Sequence, residues 1–191
     1  MRILLLSVLS LLLLGCNYNN TEDKNNKIEP KIPDVNIEQD IGTDMVILDY
    51  ASDNKIIFHG YFGLFVYDLN EEKMLQSIDL KEINCNYTQG DDACIVTVNK
   101  EGSELTLHPI SSEEMYVYNI LDNKLEKVPY VEIDNPFKLS EAPTDINEKN
   151  YSYISASVKF SNGELGYLAG YDMTLGSLRY VRGDKEYIIF K

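Results

Sequence analysis

Two thiols, two imidazoles and a few close carboxylate pairs are what the interior of this 191-residue sequence offers for chemistry. Cys85 and Cys94 enclose Asn86-Tyr87-Thr88-Gln89-Gly90-Asp91-Asp92-Ala93, a polar stretch whose glycine lets the chain turn back. In an oxidising place an even pair of cysteines reads as a structural disulfide. For so short a loop the chain-entropy account assigns it about 2.5–3 kcal/mol. A redox dithiol is the competing reading, but a working one usually sits as Cys-x-x-Cys at a helix start. His59 and His108 are the two imidazoles. A metal centre needs three or four donors of suitable spacing, and no cysteine or carboxylate is placed by sequence to complete one, so neither a metal nor a cofactor is expected. Both histidines read as structural residues at strand ends, and any imidazole acid–base chemistry would have to use one of them. Asp91-Asp92 with Asn84 and Asn86 supplies oxygen ligands for calcium but lacks the EF-hand spacing and reads as a solvated loop. Glu113-Glu114 and Asp91-Asp92 are close acidic pairs in loops, and pairing alone is poor evidence for hydrolysis.

Two short strings imitate functional motifs. Ser52-Asp53-Asn54-Lys55 fits the Ser-x-x-Lys of penicillin-binding nucleophiles, where serine and lysine share one helical turn. Here the four residues fall at a turn between two strands, and the Lys-Thr-Gly element is missing, so no acyl-enzyme serine is expected. Arg182-Gly183-Asp184 spells an adhesion tripeptide, but its Gly-Asp lies between two strand-like runs and reads as a hairpin turn. No catalytic residue is assigned.

The N-terminus carries a different chemistry. Met1 and Arg2 give a short positive start; Ile3 to Leu14 is an apolar run broken by Ser7 and Ser10; Leu13-Leu14-Gly15-Cys16 closes it. The run is short for the roughly 30 Å of hydrocarbon a spanning helix must cross, and polar, Asn-rich sequence follows at once. The ending resembles the lipobox of bacterial lipoproteins, with Gly15 as the small residue and Cys16 as the lipid acceptor; Leu14 is bulkier than the preferred second residue. The resemblance implies a signal peptide over residues 1–15, a thioether-linked diacylglyceryl group on the Cys16 sulfur, acyl chains such as palmitate, and anchoring on the extracytoplasmic face of a cell membrane. Two chains anchor stably, at about 0.8 kcal/mol per buried methylene, where one only associates.

Composition agrees with that address. The chain carries 17 basic and 31 acidic residues, and removing residues 1–15 takes away Arg2 and no acid, moving the net charge from -14 to -15. Such a chain lacks the clustered Lys and Arg that nucleic-acid phosphates require, so no nucleic-acid partner is expected. Anionic headgroups repel it too, which leaves lipid on Cys16 as the membrane partner. Residues 16–44 hold the lipidated cysteine and a polar stretch with few large apolar residues, read as a flexible tether reaching about 30 Å root-mean-square as a coil.

Residues 45–191 read as one all-β domain. Tyr, Val, Ile and Phe come in short runs: Met45–Tyr50, Lys55–His59, Leu64–Leu69, Ile95–Val98, Leu105–His108, Met115–Ile120, Tyr153–Phe160, Leu165–Leu168, Leu178–Val181 and Tyr187–Phe190. Turn signals separate them, including Asp53-Asn54, Asp122-Asn123 and Ser161-Asn162-Gly163. Glu71–Ser77 has room for one helical turn. A repeat is visible: Tyr67, Tyr118 and Tyr180 occupy matching places in three units of strand, loop, strand, turn, strand, and His59 and His108 match each other. Each unit resembles a β-propeller blade. Three blades cannot close a propeller, so the expected architecture is antiparallel meanders in about three blade-like repeats, an open or incomplete propeller, with packed sheets as the alternative.

A second resemblance rests on Val46-Ile47-Leu48-Asp49-Tyr50-Ala51-Ser52-Asp53, Phe62–Leu69, Gln89-Gly90-Asp91-Asp92 and Tyr180-Val181-Arg182-Gly183-Asp184. These residues look like the extracellular C-terminal region of clostridial membrane metallopeptidases of the beta-lactam-sensor type. No His-Glu-x-x-His exists here, so the peptidase chemistry does not carry over. The resemblance implies a sensor-like or accessory module. The expectation is a non-enzymatic binding or sensing module with a protein or small-molecule ligand. A cell-envelope hydrolase using carboxylates, or a purely structural envelope component, is the alternative. A hydrolase predicts a pocket of converging carboxylates; a binding module predicts an exposed aromatic patch; a structural component predicts neither.

Overall fold

The computed structural model describes residues 42–86, 94–110, 112–144 and 150–190. Cys16, residues 1–15, nearly all of the tether and Gln89-Gly90-Asp91-Asp92 lie outside them. The described residues form twelve strands: β1 (Val46–Ala51), β2 (Lys55–Gly60), β3 (Gly63–Asp68), β4 (Lys73–Ile78), β5 (Cys94–Val98), β6 (Glu104–Pro109), β7 (Glu114–Asn119), β8 (Lys124–Pro129), β9 (Tyr153–Lys159), β10 (Leu165–Gly170), β11 (Leu178–Arg182) and β12 (Lys185–Ile188). Single 3₁₀ turns at Thr43–Met45 and Leu175–Ser177 are the only helical elements among the described residues. The strands make three four-stranded antiparallel sheets, β1–β4, β5–β8 and β9–β12, each a meander of sequential neighbours. The all-β, three-repeat expectation holds. The segment Lys73–Ile78, with room for a helical turn, is a strand. Each unit has four strands, because β1, β5 and β9 precede the three that the repeat makes visible.

The first sheet lies in the middle of a stack. Along β2, Ile56, Ile57 and Phe58 are all fully buried. Their run of consecutive apolar residues, in place of alternation, is what a strand covered on both faces requires. One face carries Val46, Leu48, Ile56, Phe58, Phe65 and Tyr67 and packs on Val158, Leu168, Leu178, Tyr180 and Phe190 of the third sheet and its C-terminal extension. The opposite face carries Tyr50, Ile57, Leu64, Val66 and Ile78 and packs on Cys94, Val98, Leu105, Leu107, Tyr118 and Leu125 of the second sheet. The three sheets therefore form an open stack in the order third, first, second, and no ring closes.

The repeat tyrosines reveal how the stack departs from a propeller. Tyr67, Tyr118 and Tyr180 sit on the third strand of their sheets and are buried. Tyr118 points from the second sheet onto the back of the first, as successive blades do. Tyr67 and Tyr180 point into the same interface, so the first and third sheets meet tyrosine face to tyrosine face, as in a sandwich. The outer edge strands β4 and β8 bear charge: Lys73 pairs with Glu71, Lys124 with Glu126, and Lys127 with Glu114. Charge on an exposed edge discourages strand addition from another chain.

Candidate functional site

The outer face of the second sheet is built by alternation. In β5 to β7 this face carries Ile95 and Thr97, Thr106 and His108, and Met115 and Val117. After β8 the chain folds back over this face. The backbone N–H of Tyr130 donates to Glu113 O at 2.8 Å, and the Tyr130 ring stacks on His108 with centroids 3.8 Å apart and planes at 13°. His108 Nε2 donates to Ser112 O at 3.0 Å. Between strap and sheet lies a cavity of about 30 Å³ lined by Ile95, Thr97, Thr106, His108, Met115, Tyr130, Val131 and Ile133. Around it Ile95, Tyr130, Val131 and Ile133 remain 49%, 43%, 56% and 40% exposed, an unusual density of large apolar side chains at a surface. Tyr130 supplies the aromatic member of the patch.

His59, the repeat partner of His108, sits in different surroundings. The β1–β2 register slips between Leu48 and Tyr50, so Asp49 is the extra residue of a β-bulge. Its carboxylate accepts from His59 Nδ1 at 2.8 Å, and both side chains are more than nine-tenths buried. This pair is a partner the sequence reading missed: a bulge re-aims one side chain, and spacing along the chain carries no mark of where the register slips. Among the described residues no group of three or more His, Cys, Asp or Glu converges.

The expected site residues separate cleanly. Cys16 lies outside the described residues. Cys85 and Cys94 are both buried in the apolar cluster between the first and second sheets, and no disulfide joins them in the structure; each packs there as a small apolar side chain. Ser52 and Lys55 form a turn: Ser52 Oγ lies 2.8 Å from Asn54 Oδ1 and accepts from the Lys55 backbone N–H at 3.2 Å, while Lys55 Nζ sits 6.0 Å from the Tyr50 ring centre. Burial lowers the Lys55 pKa. Nothing there resembles a nucleophile and its base. Glu114 is engaged by Lys127, and Glu113 is exposed. Arg182 is committed to structure, with Asp53 at 2.7 Å, Glu164 at 3.0 Å and the Phe160 ring 3.7 Å beneath its guanidinium. Gly183-Asp184 is the two-residue turn that joins β11 to β12. Asn162 and Arg182 together hold the Glu164 carboxyl below its ordinary range.

The tyrosine hydroxyls mark the interfaces rather than a site. Tyr67 donates to Ile188 O at 2.9 Å across the first and third sheets. Tyr118 Oη lies 2.7 Å from Gln76 Oε1 and 2.7 Å from Asn123 Oδ1. Gln76 Nε2 donates to Ile120 O at 2.8 Å, which fixes that amide with its Oε1 toward the phenol, and the Tyr118 hydroxyl donates toward Gln76 Oε1 and Asn123 Oδ1. Burial pushes the Tyr118 phenol well above its usual range and lifts Tyr153, helped by the Asp44 charge, up to about 12. The Tyr180 hydroxyl is buried without a hydrogen-bond partner among the described residues. Gly166 is required beside it, since a Cβ there would stand 2.1 Å from that oxygen. A second concavity, a shallow cleft of about 490 Å³, opens on the third sheet between Glu141–Thr144 and Leu165, Tyr167 and Gly183. Set against known proteins, the chain matches no family model, no curated protein and no solved structure.

Proposed function

We propose that this chain is a lipoprotein held on the extracytoplasmic face of a cell membrane by lipid on Cys16, and that its β domain is a non-enzymatic binding or sensing module. The observation that carries the binding role is the cluster of Ile95, Tyr130, Val131 and Ile133 around one cavity on the outer face of the second sheet. A contiguous apolar patch on a strongly acidic surface is costly to leave in water and is a common mark of a partner surface. Leu13-Leu14-Gly15-Cys16 supports the address, and the resemblance to the extracellular C-terminal region of clostridial membrane metallopeptidases of the beta-lactam-sensor type supports an accessory, sensor-like role. The partner is a protein or a small molecule that presents apolar surface.

Within this reading Cys85 and Cys94 form a disulfide after export. The even pair of cysteines in an exported chain supports it. Peptide mapping without reductant checks the bond, and alkylatable thiols at both positions in secreted material would exclude it. Cys16→Ala should release the protein from membranes; continued detergent-dependent fractionation would end the anchor reading. The binding role is tested by pull-down from the native envelope with the full chain and with Ile95→Asp/Val131→Asp. The double variant should keep its circular dichroism and lose the captured partner, whereas equal capture by both forms would remove the patch from the proposal.

A further inference from the structure

The size of the concavity decides what class of ligand the patch suits. Sites that enclose a small molecule are hollows of roughly 300–1,000 Å³. The cavity under the strap holds about 30 Å³, room for water and little more. Ile95 on the sheet and Tyr130, Val131 and Ile133 on the strap all border it, and each keeps two-fifths or more of its surface in water. Apolar surface arranged around so small a hollow suits the centre of a protein–protein contact, where large apolar and aromatic side chains gather inside a polar rim.

The rim around it is of one sign. Along the strap, Val131-Glu132-Ile133-Asp134 alternates apolar and acidic residues, and all four are exposed. Glu113, also exposed, lies where its carbonyl oxygen accepts the Tyr130 N–H. None of these three carboxylates forms an ion pair among the described residues. The lysines of the adjoining edge strand are already engaged, Lys124 by Glu126 and Lys127 by Glu114. Between residues 130 and 141 the only basic residue is Lys138, which lies past Phe137, whose ring turns onto Tyr50 with centroids 4.7 Å apart. Over the whole chain 31 acidic residues face 17 basic ones, which sets a negative field behind the rim.

We propose that this patch docks a protein segment in which large apolar side chains are flanked by lysine or arginine. That partner, which rests on the binding role proposed above, is narrower than apolar surface alone: it is a cationic polypeptide. Burial of apolar area at Ile95, Tyr130, Val131 and Ile133 supplies the affinity. Glu113, Glu132 and Asp134 steer the encounter and set its salt dependence, since exposed charges at a rim act mainly on the rate of association. An anionic lipid surface or a nucleic acid is turned away by the same carboxylates.

Two short synthetic peptides are the probes: one with leucine and phenylalanine flanked by lysines, the other with glutamate in place of every lysine. Binding of each, dye-labelled, to the full chain is followed by fluorescence anisotropy and stopped flow over a series of salt concentrations. The lysine peptide should bind at least about tenfold tighter than the glutamate peptide, and its association should slow about tenfold from low to high salt. Ile95→Ser/Val131→Ser leaves the net charge unchanged and should weaken that binding at least about tenfold. Glu113→Gln/Glu132→Gln/Asp134→Asn should slow association about tenfold at low salt and flatten the salt dependence. Every substituted position is exposed, and unchanged circular dichroism checks the fold. If the serine variant bound the lysine peptide as well as the parent does, the attraction would be general acidity and the docking surface would fall. If the serine variant lost binding while the amide variant kept its rate and salt dependence, the cationic partner would be overturned and the apolar patch would keep its role. A lysine peptide that fails to bind would also overturn the cationic partner, with the envelope pull-down still standing as the separate test of the binding role.

Discussion

The first sheet is covered on both faces, yet its two interfaces are made differently. Toward the third sheet the contact is aromatic: Phe58 and Phe65 stack at 5.1 Å, Phe190 meets both edge-on, and Tyr67 and Tyr180 flank them. Toward the second sheet the contact is largely aliphatic, with the two cysteines, and is tied across by the Tyr118–Gln76–Asn123 hydrogen bonds. Both interfaces carry directional bonds, from Tyr67 to Ile188 and Tyr153 to Val46 toward the third sheet and from Tyr118 to Gln76 toward the second; what differs is the side chains that fill the space between them. The same repeat unit therefore serves two packing modes, depending on which face of the first sheet it meets.

Removing ring area should hurt most. Phe58→Ala in the aromatic interface is expected to cost about 4 kcal/mol, read as a lowered midpoint in denaturant unfolding. Asp49→Ala, which withdraws the carboxylate from buried His59, should cost about 3 kcal/mol by the same measurement; a loss near zero would mean that the bulge, not the charge, holds that strand. Smaller effects separate the tyrosines. Tyr118→Phe strands two amides and should lose about 2 kcal/mol, while Tyr67→Phe strands one carbonyl and should lose about 1 kcal/mol. Tyr180→Phe removes a hydroxyl that already lacks a partner, so stability should hold or rise by up to about 1 kcal/mol. If Tyr180→Phe proved as damaging as Tyr118→Phe, the distinction between a bonded and an unbonded tyrosine hydroxyl would collapse.

Much of this fold is legible residue by residue. The spaced tyrosines announce the third strand of each sheet, and the turn residues Asp53-Asn54 and Gly183-Asp184 fall where strands reverse. What stays hidden is relational. Alternation tells which residues share a face but not which sheet that face will meet, so the face-to-face packing of Tyr67 and Tyr180 has no signature in the chain. The first strand of each unit is apolar enough to be seen at Val46–Ala51, Cys94–Val98 and Tyr153–Lys159, yet its divergent sequence keeps it outside the visible repeat. The candidate site is legible in one member only: His108 stands out as a rare residue type, while Tyr130 reaches it because the chain doubles back after β8, and Met115 lines the same cavity from the neighbouring strand.

The central position of the first sheet has a consequence for how the chain is made. A nascent polypeptide emerges from its N-terminal side. Here the earliest sheet to appear is the template on which both later ones must dock, and neither of those covers the other. The second sheet can settle as soon as it is synthesised, but the third must reach back past it to the opposite face, closing the longer loop and so arriving last. Until then Phe58 and Phe65 face water. That interval, rather than the finished molecule, is when this protein is most exposed to aggregation and to proteases.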